Sequence, residues 1–144
     1  MVDKLNAALL DVIYKQLGRD TTTNIQLNKY GKLIFGDRYL GTFTADTIPD
    51  MPKDTLAIVN LDDSGGDGTH WVAVVRAKSG EHIVYDSFGR KTKDILPSMY
   101  GKGRRVVATE DDPEQKEAES DCGARCIAAL MMYDLYGKNT LLKL

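Results

Sequence analysis

His70, Asp86 and Cys122 are a base, a carboxylate and a nucleophile placed along the chain in the order that thiol-dependent acyl transfer can use. In such a site an imidazole takes the proton of a thiol, and a carboxylate holds the imidazole in one tautomer and stabilises its protonated form. The local sequence brings two of the three together. Residues 70–76 and 82–87 read as strands, and Lys78-Ser79-Gly80 reads as the loop of the hairpin that joins them. With that loop, Asp86 falls opposite Val72, and His70 is its diagonal neighbour on the same face. Diagonal cross-strand neighbours lie about 7–8 Å apart, within side-chain reach.

Cys122 lies in a segment, Ser-Asp-Cys-Gly-Ala, that reads as a helix start, with Ser120 or Asp121 as N-cap. Free backbone N–H groups and the positive end of the helix dipole favour an anionic thiol there. Gly123 leaves room for substrate beside the backbone, and the Cys122 amide can point at a developing oxyanion. Gln115, seven residues before Cys122, is a candidate for the second oxyanion donor. Each residue also fits a plain structural role. His70 can be a packing residue at a strand start, and Asp86-Ser-Phe-Gly can be a turn. Cys122 can be a small buried side chain, and Gln115 can belong to a solvated charged stretch.

The elements that must position these residues follow from periodicity and punctuation. Residues 4–17 carry Leu5, Leu9, Leu10, Ile13 and Leu17 at helical spacing before Gly18. Thr21-Thr22-Thr23 offers N-caps for a second helix through about Leu33. Residues 35–54 read as irregular, punctuated by Gly36, Gly41, Pro49 and Pro52. Leu56-Ala57-Ile58-Val59 suits a strand buried on both faces, and residues 62–68 form a glycine-rich loop. A short helix interrupted at Pro97 is expected within 90–100, and a further short strand at 105–109. A final helix runs from Cys122 to about Tyr136, with Gly137 just past its end. The expected fold class is α+β, one domain over 1–144, with a small central mixed sheet flanked by helices and the nucleophile at the N-terminus of a buried helix.

Four motifs taken together resemble the adenain and Ulp/SUMO-protease group of cysteine proteases. Gly68-Thr69-His70-Trp71 is similar to that group's His-Trp pair at the start of a strand. Tyr85-Asp86-Ser87-Phe88-Gly89 resembles its acidic element, Asp121-Cys122-Gly123 its nucleophile element, and Gln115 stands in the matching relation to Cys122. The order His, Asp, Cys also matches, and differs from papain, where the cysteine comes first. The likeness spans roughly residues 36–135, and Tyr39-Leu40-Gly41-Thr42 tilts it toward adenain.

The resemblance implies a cysteine endopeptidase with His70 as general base and then acid, Asp86 as its orienter, Cys122 as nucleophile and Gln115 at the oxyanion. It implies that Trp71 and Gly123 line a narrow channel for small residues before the cleaved bond. The substrate would be a polypeptide with glycine near that bond, and the setting would be maturation of viral precursor proteins in a particle. Removal of a ubiquitin-like modifier at Gly-Gly, or acyl transfer by the same site, are the alternatives.

No cofactor is needed for this chemistry. Activation by DNA or by a viral peptide is a further option that the resemblance carries. Both cysteines, Cys122 and Cys126, fall in the final helix, so no separate cysteine is placed to capture a peptide by disulfide. For DNA, Arg90, Lys91, Lys93, Lys102, Arg104 and Arg105 form a basic run, which also reads as a solvated face. Cys122 and Cys126 with His70 and His82 supply the ligand types of a zinc site, but the two histidines belong to different ends of the hairpin and Cys126 shares a face with Ala129 and Leu130. No metal is therefore expected.

Net charge is −2, so there is no global basic field of the kind that nucleic-acid binders use. No apolar run approaches the roughly 20 residues of a membrane span, and no signal-peptide pattern opens the sequence. The expectation is a soluble protein in a reducing compartment, in a virion or in the cytoplasm or nucleus of a host cell, with no membrane contact.

Overall fold

The computed structural model describes residues 2–18, 23–61, 70–100, 104–108, 122–142 and 144. Among the described residues five strands form one mixed sheet: β1 (Tyr39–Thr44), β2 (Thr55–Asn60), β3 (Trp71–Arg76), β4 (His82–Tyr85) and β5 (Val106–Ala108). They lie side by side in chain order. β2, β3 and β4 are joined antiparallel, whereas β1 runs parallel to β2 and β5 parallel to β4. Helices α1 (Val2–Leu17), α2 (Asn24–Phe35), α3 (Thr92–Ile95), α4 (Cys122–Tyr136) and α5 (Lys138–Leu141) complete the α+β domain, with short 3-10 turns at Gly36–Arg38 and Pro97–Met99.

The three central strands are buried on both faces, which is why β2 reads as a continuous apolar run. One face carries Trp71, Ala73, Val75, Ile83 and Tyr85, packed with α1, α2 and α4. The other carries Val72, Val74 and Val84, packed with Met51, Leu96 and Met99. α4 is the central support. It packs on β3 and against α1, and nine of its residues are buried, including Ala124, Ile127, Ala128, Ala129 and Leu130. A helix apolar on most of its circumference belongs inside a domain. Its alanines permit close approach to the sheet, and each fully buried Ile or Leu contributes about 1.5–3 kcal/mol. The helix stops where Gly137, at φ 92°, turns left-handed and donates its N–H to the Tyr133 carbonyl at 2.8 Å.

α2 begins at a complete capping box. Thr23 Oγ1 accepts the Gln26 N–H at 3.1 Å, and Gln26 Oε1 accepts the Thr23 N–H at 2.8 Å. α2 runs past Leu33 to Phe35, and two further elements depart from expectation. Residues 39–44, expected to be irregular, form β1, and α5 follows Gly137. β1 is hard to read because Gly41 interrupts its alternation and the register shifts between Tyr39 and Gly41.

β1 is seated on α2 through one ring. Tyr39 is fully buried, stacks on Phe35 at 6.2 Å, and pairs its hydroxyl with Thr42 Oγ1 at 2.7 Å. Gly31 of α2 lies against that ring, and a Cβ there would come within 2.6 Å of it. Alanine is the better helix former by about 1 kcal/mol. Overpacking costs about 1–3 kcal/mol, and a rigid buried ring has nowhere to go. Gly31→Ala is therefore expected to lower the urea midpoint with an unchanged m-value. A raised midpoint would show that the ring yields.

Candidate functional site

His70 stands immediately before β3, and its carbonyl accepts the Leu61 N–H at 3.0 Å, extending the β2–β3 ladder by one step. The β3–β4 hairpin has the three-residue loop expected. Ala77 donates to the Glu81 carbonyl at 2.9 Å, and Gly80 takes the left-handed position at φ 95°. Ala73 faces Tyr85 and Arg76 faces His82. Continuing that register puts Asp86 opposite Val72 and Phe88 opposite His70, so the diagonal between His70 and Asp86 is built into the hairpin.

The two side chains meet. His70 Nε2 lies 2.8 Å from Asp86 Oδ1, and both residues are buried. Asp86 is also a turn residue, so its two readings coexist. Its carbonyl accepts the Gly89 N–H at 2.9 Å, and its Oδ1 accepts the Phe88 N–H at 3.1 Å. Oδ2 accepts the Arg90 amide at 3.2 Å and Arg90 Nε–H at 2.9 Å. Burial alone would raise the pKa of this carboxyl, but the bonds from His70, Arg90 and the Phe88 amide prevail and pull it down to about 2. An ionised Asp86 makes Nε2 of His70 the protonated nitrogen, which leaves Nδ1 for the third member.

That member is Cys122, the first residue of α4, whose side chain interacts with the His70 ring and helps to raise its pKa. Cys122 is 4% exposed and shares the core cluster of Trp71. The hairpin thus holds the base and carboxylate, and the helix carries the thiol to them across 52 residues of sequence (122 − 70).

Two further residues join the site. The Phe88 ring stacks on the His70 imidazole with centroids 4.5 Å apart and planes 19° off parallel. Arg90 lies over the same phenyl ring at 5.1 Å while it holds Asp86. Residue type and spacing put Arg90 in the basic run and Phe88 in the acidic motif and neither beside His70, although the hairpin register already places Phe88 across from His70. Trp71 is 5% exposed in the core, and Gly123 is buried in the first turn of α4. Gln115 lies outside the described residues, as do Gly68, Thr69, Ser120 and Asp121.

Burial of His70 disfavours its charged form, but the bonds to Asp86 and Cys122 outweigh that and hold its pKa above the ordinary value. The pairing therefore stabilises the fold most fully below the unfolded histidine value near 6.5, and this share fades as pH rises through the folded value. Asp86→Asn leaves burial with one fewer opponent. The His70 pKa is expected to fall, and its Cε1–H NMR signal followed against pH reads this directly. An unchanged titration midpoint would remove Asp86 from the electrostatics of the base.

The basic run of 90–105 is divided. Arg90 belongs to this site, Lys93 lies over the Tyr100 ring at 5.3 Å, Lys102 is outside the described residues, and Arg104 and Arg105 line a cavity beside His82. His82 and His70 sit at opposite ends of the hairpin, and Cys126 is fully buried. Among the described residues no group of three or more His, Cys, Asp or Glu side chains is placed to hold a metal ion. Also among them, no helix is long and apolar enough to cross a membrane. Compared with protein-family models and with curated proteins, the chain matches none.

Proposed function

We propose that this protein is a cysteine endopeptidase in which Cys122, His70 and Asp86 carry the chemistry. The observation that supports it most is one buried imidazole held by a buried carboxylate at 2.8 Å, with the thiol of a helix N-terminus as its electrostatic neighbour. A structural histidine needs neither partner to be reactive. Here the three groups are the ones that acyl transfer requires, in bonding order.

The steps follow from the atoms. The Cys122 thiol gives its proton to His70 Nδ1, and Sγ attacks the carbonyl carbon of the scissile bond. The carbonyl oxygen takes the negative charge, facing the start of α4, where the Cys122 amide has no partner within the helix. His70 then passes its proton to the departing amine, and the C–N bond breaks to leave a thioester. Water, deprotonated by His70, attacks the thioester and frees the acid and the thiol. Asp86 stays ionised throughout and stabilises the imidazolium in each transfer. Gln115 is the proposed second oxyanion donor.

The substrate reading rests on the resemblance of 68–71, 85–89 and 121–123 to adenain and the SUMO proteases. It places a small residue, glycine, next to the cleaved bond, under Trp71 and Gly123, in precursor proteins of a viral particle. Peptides spanning Gly-Gly and Gly-Xaa bonds, compared with peptides carrying leucine there, test it. Cleavage at the glycine bonds that disappears in Cys122→Ala supports the reading. Equal cleavage of both sets would remove the glycine preference, and turnover of acyl-CoA without peptide cleavage would replace hydrolysis by acyl transfer.

A further inference from the structure

At the turn end of the hairpin, away from His70, Lys53, Arg76, Arg104 and Arg105 surround a cavity of about 570 Å³, with Asp50 as the only carboxylate residue in its lining among the described residues. His82 closes its wall and also lines an adjoining cavity of about 260 Å³ that shares Asp50, Met51 and Arg104. We propose that this cavity is a binding site for a small phosphate-bearing anion with one or two phosphate groups.

Two of the cations are held in place. Arg76 donates Nε–H to the Gly80 carbonyl at 2.6 Å and Nη1–H to the Met51 carbonyl at 2.9 Å, which fixes its guanidinium at the wall. Arg104 donates Nη1–H to the Ser98 carbonyl at 3.1 Å. Its Nη2 meets Asp50 Oδ1 at 3.1 Å, so an oxyanion already sits on this guanidinium. That carboxylate is 94% exposed and can leave for water, whereas Arg104 is only 23% exposed. Four cations then line one concavity; of these, Arg105 also faces Glu81 Oε2 at 3.9 Å.

His82 is the second, independent sign. It is 4% exposed, and its Nδ1 is buried without a hydrogen-bond partner. A buried polar atom without a partner is costly, and a ligand or water that reaches the ring removes the cost. Burial first, then the charges of Arg76 and Arg104, lower its pKa. An anion that neutralises those arginines would reverse the second cause and raise it.

Convergence decides the ligand class. A nucleic-acid backbone needs cations spread along a track, one phosphate after another. These cations face one cavity within the size range of small-molecule sites. Planar guanidinium forks suit phosphate oxygens, and rigid ones lose little freedom on binding.

The test is titration of the whole protein with inorganic phosphate and with pyrophosphate at pH 7 and constant ionic strength, followed by the His82 NMR signals and by calorimetry. Saturable binding, tighter for pyrophosphate, with a raised His82 pKa is expected. Arg104→Gln should weaken it about 10-fold or more, the loss of one charge-assisted hydrogen bond. Lys53→Gln alters an exposed side chain, cannot compromise the core, and should weaken binding more than Lys15→Gln, which lies on α1. No saturable shift at His82, or binding in Arg104→Gln and Lys53→Gln as tight as in the wild type, overturns the proposal. A short single-stranded oligonucleotide that displaces pyrophosphate at lower concentration, with a steep salt dependence, also overturns it in favour of a nucleic-acid surface.

Discussion

Iodoacetamide at neutral pH is expected to alkylate Cys122 and to leave Cys126 untouched in the folded protein. Both are thiols on one helix, but Cys126 is fully buried in the apolar core, four residues and one turn away from the end that meets His70. Nucleophilicity resides in the thiolate, so the residue with a base beside it reacts. His70→Ala should slow labelling of Cys122 by about 10²-fold or more, the usual contribution of a positioned general base. In peptide hydrolysis Cys122→Ala and His70→Ala should each lower kcat/KM by about 10³-fold or more, and the double variant should lose little further. Groups that act as one unit are strongly non-additive. Additive losses would mean that the two residues do not share a step. Labelling of Cys126 at the same rate as Cys122 would remove the distinction on which the proposed mechanism rests.

Asp86 carries the second large expectation, because it serves chemistry and stability with the same two oxygens. Asp86→Ala removes the acceptor of His70, the Phe88 amide, the Arg90 amide and the Arg90 side chain together. Removing one member of a buried charged network costs about 3–5 kcal/mol. The loss here falls toward the lower figure, because the Arg90 side chain is 41% exposed and regains water.

Asp86→Asn keeps the shape and tests the charge. An amide cannot stabilise an imidazolium, and comparable changes in His-carboxylate pairs lower turnover by about 10⁴-fold. Acid stability separates the two roles. The folded pKa of Asp86, about 2, lies below its unfolded value, so the unfolded chain binds the extra proton and stability rises with pH in this window. The carboxylate contributes about 2 kcal/mol that is complete above roughly pH 4 and is lost as pH falls toward 2. Denaturant midpoints measured from pH 6 to 2 should therefore fall more steeply in the wild type than in Asp86→Asn. Parallel curves would show that Asp86 is not ionised in the folded state.

Much of the site is legible because it is local. The loop Lys78-Ser79-Gly80 sets the hairpin register, and a register with period 2 carries His70 and Asp86 to one face without help from the rest of the chain. The same arithmetic would have found Phe88, whose stacking on His70 follows from its position opposite. Arg90 was harder. Its place depends on the Asp86–Gly89 turn folding the chain back on the carboxylate. β1 is not legible because Gly41 and the register shift hide its alternation.

The short-range decisions are written in residue types: the hairpin, the caps at Thr23 and Gly137, the apolar strands and the helix that begins at Cys122. Turn chemistry, capping and periodicity act over a few residues, so residue types report them. Long-range packing brings the thiol to the imidazole, splits the basic run between two ends of the hairpin and turns His82 to a cationic cavity. Those outcomes depend on how α4 packs on β3 and how β5 pairs with β4, contacts between segments far apart in sequence. Their energy comes from buried area and shape complementarity, quantities that no short stretch of sequence contains.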